Sequence, residues 1–138
     1  MGFVVNLPTQ SSPAKIAPED IKYVQIGGQS VRVDLAISPA AQERGLSGRA
    51  GLADGEGMLF VFDQPGRKMF WMRKMNFPID IIWIAEDMQV IFIEKNATPN
   101  SYPQAFGPDT LAKYVLEVPA GFAEKNNLQI GNTVLFTQ

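Results

Sequence analysis

With no cysteine and no histidine among its 138 residues, the sequence leaves carboxylates, arginines, lysines, tyrosines and serines to do any chemistry. Thiol nucleophiles, Ser-His-Asp triads, zinc fingers, facial-triad iron and histidine-ligated haem all lack their base or ligand. No metal site and no cofactor is expected. Arg44 and Arg49 flank a glycine-rich stretch, Arg73 and Lys74 close a strand-like run, and Asp80 opens the next one. Asp80 shares strand parity with Ile82 and Ile84, which puts it at the edge of an apolar face. A carboxylate there needs a charge partner or backbone donors to stay ionised at low cost. An arginine fork binds a carboxylate bidentately, so Asp80 is expected to be held by Arg44, Arg49 or Arg73. Such a clamp either fixes the glycine-rich loop or forms the polar corner of a ligand pocket. Asp34, Asp80 and Glu117 could also pair as a glycosidase acid and base, although no sequence spacing establishes a pair.

Other patterns carry less. Arg67-Lys68-Met69-Phe70-Trp71-Met72-Arg73-Lys74 interleaves basic and aromatic residues, the mixture that holds single-stranded nucleic acid. Alternation sends Lys68, Phe70 and Met72 to one face and Met69, Trp71 and Arg73 to the other, so neither face is uniformly basic. Trp71, Trp83, Phe92, Tyr102, Phe106 and Tyr114 are possible stacking platforms for a flat ligand. Aromatics within strands are mostly core, and Trp83, in an almost wholly apolar run, is expected to be core. Tyr102 and Phe106 lie in a proline-rich loop, where a packing role is less compelling. Gly45 to Gly57 holds five glycines. A phosphate loop needs a strand before it, a helix after it and a Lys-Ser or Lys-Thr; this stretch has the reverse order and no such lysine.

The elements that position these residues follow from periodicity. Residues 1–20, with Pro8, Pro13 and Pro18 and no periodicity, read as an extended arm, and 21–138 as one domain. Lys22–Ile26 and Gln29–Ile37 alternate around Gly27-Gly28, the signature of a tight hairpin. Ser38 caps a short helix with Pro39 at its first position and Gly45 at its end. Strands are expected at Met58–Phe62, Lys68–Met72, Ile79–Ala85, Gln89–Glu94, Lys113–Val118 and Asn132–Phe136. A turn is expected at Asp63–Gly66, and a second short helix over Ala120–Asn127. This pattern predicts an all-β fold: a single-domain β-sandwich, jelly-roll-like or a partly closed barrel, with two short helices.

Several of these segments together resemble a known family: Arg44-Gly45-Leu46, Gly57-Met58-Leu59-Phe60-Val61-Phe62, Phe70-Trp71-Met72, Pro78-Ile79-Asp80-Ile81, Asn96-Ala97-Thr98-Pro99 and Tyr114–Gly121. The resemblance, from about Val31 to Phe136, is to the bacterial and archaeal domain of unknown function (DUF) 192. It implies a compact β-sandwich or jelly-roll-like fold, and relatives that are often exported behind a signal peptide or lipid anchor. It brings no activity, substrate or catalytic residue. Where the family often reads Lys-Asn-Thr after Phe-Trp-Met, this chain has Arg73-Lys74-Met75; where a Met-aromatic pair follows Arg-Gly-Leu, it has Ser47-Gly48.

Twelve basic and fourteen acidic residues give a net charge of −2, which argues against nucleic acid or an anionic membrane as partner. No apolar stretch is long enough to cross a membrane as a helix. The first eight residues do not read as a signal peptide, so a tether would have to come from a removed N-terminal segment. Location outside the cytoplasm is expected from the resemblance alone. The favoured reading is a non-enzymatic binding or accessory module, with an unknown small molecule or protein as partner. Its site would lie between Arg44–Arg49, Arg73–Asp80 and Asn96–Phe106, with Arg44, Arg49, Arg73, Asp80, Asn96, Tyr102 and Phe106 as candidates. A carboxylate enzyme on a carbohydrate-like substrate and a structural or docking domain stand as alternatives.

Overall fold

The computed structural model describes residues 16–138, so most of the arm expected over 1–20 lies outside the described residues. Of its last five positions, Pro18–Asp20 form a 3-10 turn and Ile16 packs against the core. The hairpin then forms where alternation requires it, as β1 (Tyr23–Ile26) and β2 (Gln29–Ala36). Gly27 and Gly28 supply φ values of 58° and 75°, which a two-residue turn of the I′ type demands. Helix α1 (Pro39–Arg44) starts on the Ser38 hydroxyl, which accepts from the Ala41 N–H at 3.1 Å, and ends at Gly45.

The remaining strands are β3 (Glu56–Gly66), β4 (Phe70–Trp71), β5 (Ile79–Ile84), β6 (Val90–Ala97), β7 (Ala105–Phe106), β8 (Ala112–Pro119) and β9 (Leu135–Thr137), with helix α2 (Phe122–Lys125) before β9. One seven-stranded sheet has the order β6-β5-β8-β3-β2-β1-β9, and β4 pairs with β7 in a second, small sheet. The β2–β3 pair is parallel, and α1 with the glycine-rich loop makes the crossover between them. The large sheet curls until its ends meet. Val90 N–H donates to Asn132 O at 2.9 Å, and Val134 N–H donates to Met88 O at 2.8 Å. The fold is therefore the expected all-β domain, in the form of a curled, nearly closed sheet.

Curling gives the sheet an inner and an outer face, and both are covered. The inner core holds Val24, Val31, Leu59, Ile82, Leu116 and Val118; the outer one holds Met58, Phe60, Ile81, Trp83, Val115, Leu46 and Met72. All six residues of β5 are buried, as expected of a strand without polar alternation. Trp83 is fully buried and donates its indole N–H to Lys68 O at 2.6 Å. This bond pins the 67–72 segment across the outer face. The expected turn at Asp63–Gly66 is instead the end of β3, with the register jumping between the Val61–Tyr114 and Gly66–Ala112 pairs. Such a bulge accommodates Pro65, which has no N–H for a regular ladder.

Candidate functional site

Asp80 is completely buried, as its place in an apolar strand implies, but its partners are not arginines. Its Oδ1 accepts from the Asn96 N–H at 2.8 Å and the Gly121 N–H at 3.3 Å, and its Oδ2 accepts from the Ala123 N–H at 2.8 Å. The expected arginine clamp on the glycine-rich loop is therefore absent at Asp80, which is held instead by three main-chain amides, two of them at the start of α2. Arg49 pairs with Asp34 at 3.0 Å instead. The reason is register. Asp80 pairs with Val118 and points to the inner face with Ile82 and Ile84, while Arg44, Arg49 and Arg73 belong to segments lying over the outer face.

On that outer face, neighbouring strands align Asp34, Met58, Glu117, Ile81 and Glu94 in one row. Glu117, in the middle, is the acid on which a cleft is built. It is 5% exposed and lines a cleft of about 950 Å³ with Arg44, Gly45, Phe60, Trp71 and Arg73. Among the described residues it makes no ion pair, and no buried side-chain oxygen is left sealed without a partner, so its carboxyl meets whatever fills the cleft. Burial away from water pushes its carboxyl from 4.5 up to about 8, so it carries its proton at neutral pH.

Local sequence explains how the cleft is held open. Helix α1 aims its C-terminal end at Glu117, and Gly45 there has φ 49° and ψ −131°, a conformation suited to glycine. A Cβ at Gly45 would lie 3.2 Å from Phe60 Cζ and 3.7 Å from Glu117 Oε1. The walls are tied to each other by backbone: Gly48 N–H donates to Lys74 O at 2.9 Å and the Ser47 hydroxyl to Arg73 O at 2.9 Å. Lys74 itself sits at φ 57°, a left-handed conformation that a non-glycine residue keeps only when its surroundings hold it. Opposite, β4 presents Trp71, 48% exposed, which meets the 44% exposed Tyr102 ring at 5.2 Å and the Arg73 guanidinium at 5.9 Å.

The candidates therefore separate. Arg44 and Arg73 line the cleft, and Tyr102 reaches its rim through Trp71. Arg49 lines a smaller depression of about 270 Å³ with Asp34, on the other side of Gly45. Asn96 serves Asp80 through its main chain, and Phe106 pairs with Phe70 and packs into the outer core. Asp34, Asp80 and Glu117 do not meet in one cleft: Asp80 faces inward, and Met58 stands between the other two. Two strand spacings put their backbones about 10 Å apart. In the sequence Glu117 stands out only as half of a possible glycosidase pair. The usable signal was a single acid inside the apolar run Tyr114-Val115-Leu116-Glu117-Val118, too hydrophobic to leave that acid in water.

A model of the DUF192 family, described as an uncharacterised ACR, matches residues 22–136. The fold is similar to that of a protein of unknown function from Novosphingobium aromaticivorans DSM 12444, with TM-score 0.78 and 33% identity over 83% of this chain and 84% of that one. It is also similar to a protein from Sinorhizobium meliloti 1021 named as a candidate transcription regulator, with TM-score 0.75 and 31% identity over 78% and 83% of the two chains. No curated protein matches the sequence.

Proposed function

The chain belongs to the DUF192 family, and on that premise we propose that it is a binding module whose outer-face cleft takes a small molecule. One observation carries this reading. A buried acid with no protein partner among the described residues forms the floor of a cleft of about 950 Å³, within the size range of ligand sites. Buried polar groups are almost always satisfied within the protein or by solvent; one left facing a cleft is satisfied by what enters it. Phe62, Phe70 and Trp71 in the lining give a ligand an apolar surface beside that polar floor.

Screening a fragment library by amide and indole NMR shifts tests the reading. Shifts are expected to cluster on Gly45, Ser47, Gly48 and the Trp71 indole. Hits scattered over the surface would overturn it. Because the Sinorhizobium neighbour is named as a candidate transcription regulator, a single-stranded oligonucleotide belongs in the same screen. Salt-sensitive binding of that strand across the cleft would replace the small-molecule reading. A raised-pKa acid in a cleft also suits a general acid, and Glu43 is the other acid lining this one. Glycoside cleavage by the native protein but not by Glu117→Gln would favour the enzyme.

A further inference from the structure

We infer that the ligand is a small organic anion, bound by Arg44 and Arg73 on the walls and by an O–H donated from the Glu117 carboxyl on the floor. This deepens the reading of the cleft as a binding site and rests on it. Charge distribution is the first argument. Among the described residues, five basic side chains line the cleft against two acidic ones, although the whole chain is net negative. Partnering is the second. Arg67 is taken by Asp109 at 2.7 Å, and the Lys68 ammonium lies 4.3 Å from the Phe62 ring centre. Among the described residues, Arg44, Arg73 and Lys74 have no carboxylate within ion-pair distance.

Opposite charges are also held apart. Glu117 and these cations line one cleft, yet none of them pairs with it. An arginine and a buried acid that touched would satisfy each other; held apart, they leave a polar gap between them. An anion in that gap meets guanidinium forks on its sides and a hydrogen-bond donor beneath it. A cationic ligand would face the like charges of Arg44, Arg73 and Lys74, which have no ion-pair partner among the described residues. Trp71, exposed at the rim, offers a flat surface to the ligand's apolar part.

Proton linkage follows. Around Glu117 stand Glu43 and Arg44 from α1, Arg67, Lys68, Arg73 and Lys74 from the 67–75 segment, and, beyond Met58 and Ile81 in its row, Asp34 and Glu94. A carboxyl that donates to an anion binds it only while protonated. Ionisation near pH 8 then puts like charge against the ligand. Anion affinity is therefore expected to fall about tenfold between pH 7 and pH 9.

Four probes sharing one ring system test this by NMR titration: 2-naphthoate, 2-naphthyl phosphate, 2-naphthamide and 2-naphthylmethylammonium. Both anions are expected to shift Gly45 and the Trp71 indole with affinity at least tenfold above the amide's; whichever of the two binds more tightly identifies the source of the oxyanion. The exposed substitutions Arg44→Ala and Arg73→Ala should each weaken anion binding, and Glu117→Gln should bind with no loss from pH 7 to pH 9. Amide or ammonium binding at the same resonances as tightly as the anions would overturn the anion assignment and leave the cleft a binding site. Equal alkaline loss in Glu117→Gln would remove Glu117 as the donor. If none of the four shifts the cleft resonances, the binding-site reading falls with the inference.

Discussion

Asp80 and Glu117 are buried acids on adjacent strands, one register step apart, since Asp80 pairs with Val118 and Ile81 pairs with Glu117. They point to opposite faces of the same sheet and have opposite fates. Asp80 faces inward and is enclosed by three backbone N–H donors. Those bonds join β5 to the end of β6 and to the start of α2, so its carboxylate organises chain that is remote in sequence. Glu117 faces outward, has no partner among the described residues, and is pushed up to about 8 by desolvation. Burial alone therefore does not tell a structural acid from a candidate functional one. The donor set does: an acid that closes its own hydrogen bonds stabilises the fold, whereas an acid left open at a cleft lowers stability when ionised and keeps its capacity for a ligand.

The same chemical change, carboxylate to amide, should act with opposite sign at the two positions. Glu117→Gln carries the larger effect. The folded protein keeps a proton at Glu117 that the unfolded chain releases above its ordinary value of 4.5. This group's contribution is thus fully present below about pH 4.5, is lost as pH rises to about 8, and is constant beyond. Urea unfolding of the two proteins should give nearly equal stability at pH 4. At pH 9 the variant should be the more stable, by on the order of 4 kcal/mol. A constant difference across that range would show that Glu117 is not desolvated.

Asp80→Asn should lose about 3 kcal/mol at pH 7, because it removes the charge that strengthens three hydrogen bonds and turns an amide N–H₂ toward a backbone donor. Hydrogen exchange should show the loss first at Asn96, Gly121 and Ala123. A neutral result would mean that α2 docks without this carboxylate. The smallest effect is expected at the exposed Asp34–Arg49 pair, where Asp34→Asn should change the unfolding free energy by no more than about 0.5 kcal/mol. A cost comparable with that of Asp80→Asn would mean that this exposed pair is a main anchor of the glycine-rich loop.

What the sequence determined by itself was local. The Gly27-Gly28 hairpin, the Ser38–Gly45 cap pair of α1, the burial of Trp83 and the all-β class follow from alternation and from residues whose dihedral or capping preferences act within a few positions. The alternation that sets Trp71 and Met72 on opposite faces was legible in the same way, but not that the face of Trp71 is the exposed one. Tertiary structure decided the rest. The donors to Asp80 lie 16, 41 and 43 positions away and are main-chain amides, which nearly every residue carries, so no side-chain pattern marks them. An expectation built on side chains reached for arginines instead. The row that sets Glu117 between Met58 and Ile81 depends on pairing between strands far apart in sequence, including the β3–β8 register. The cleft above it depends on the parallel β2–β3 crossover, which lays α1 and its Arg44 over the outer face. Strand register and crossover are settled by how whole faces pack, and at Glu117 that packing leaves the acid 5% exposed at the floor of a cleft, without an ion-pair partner among the described residues.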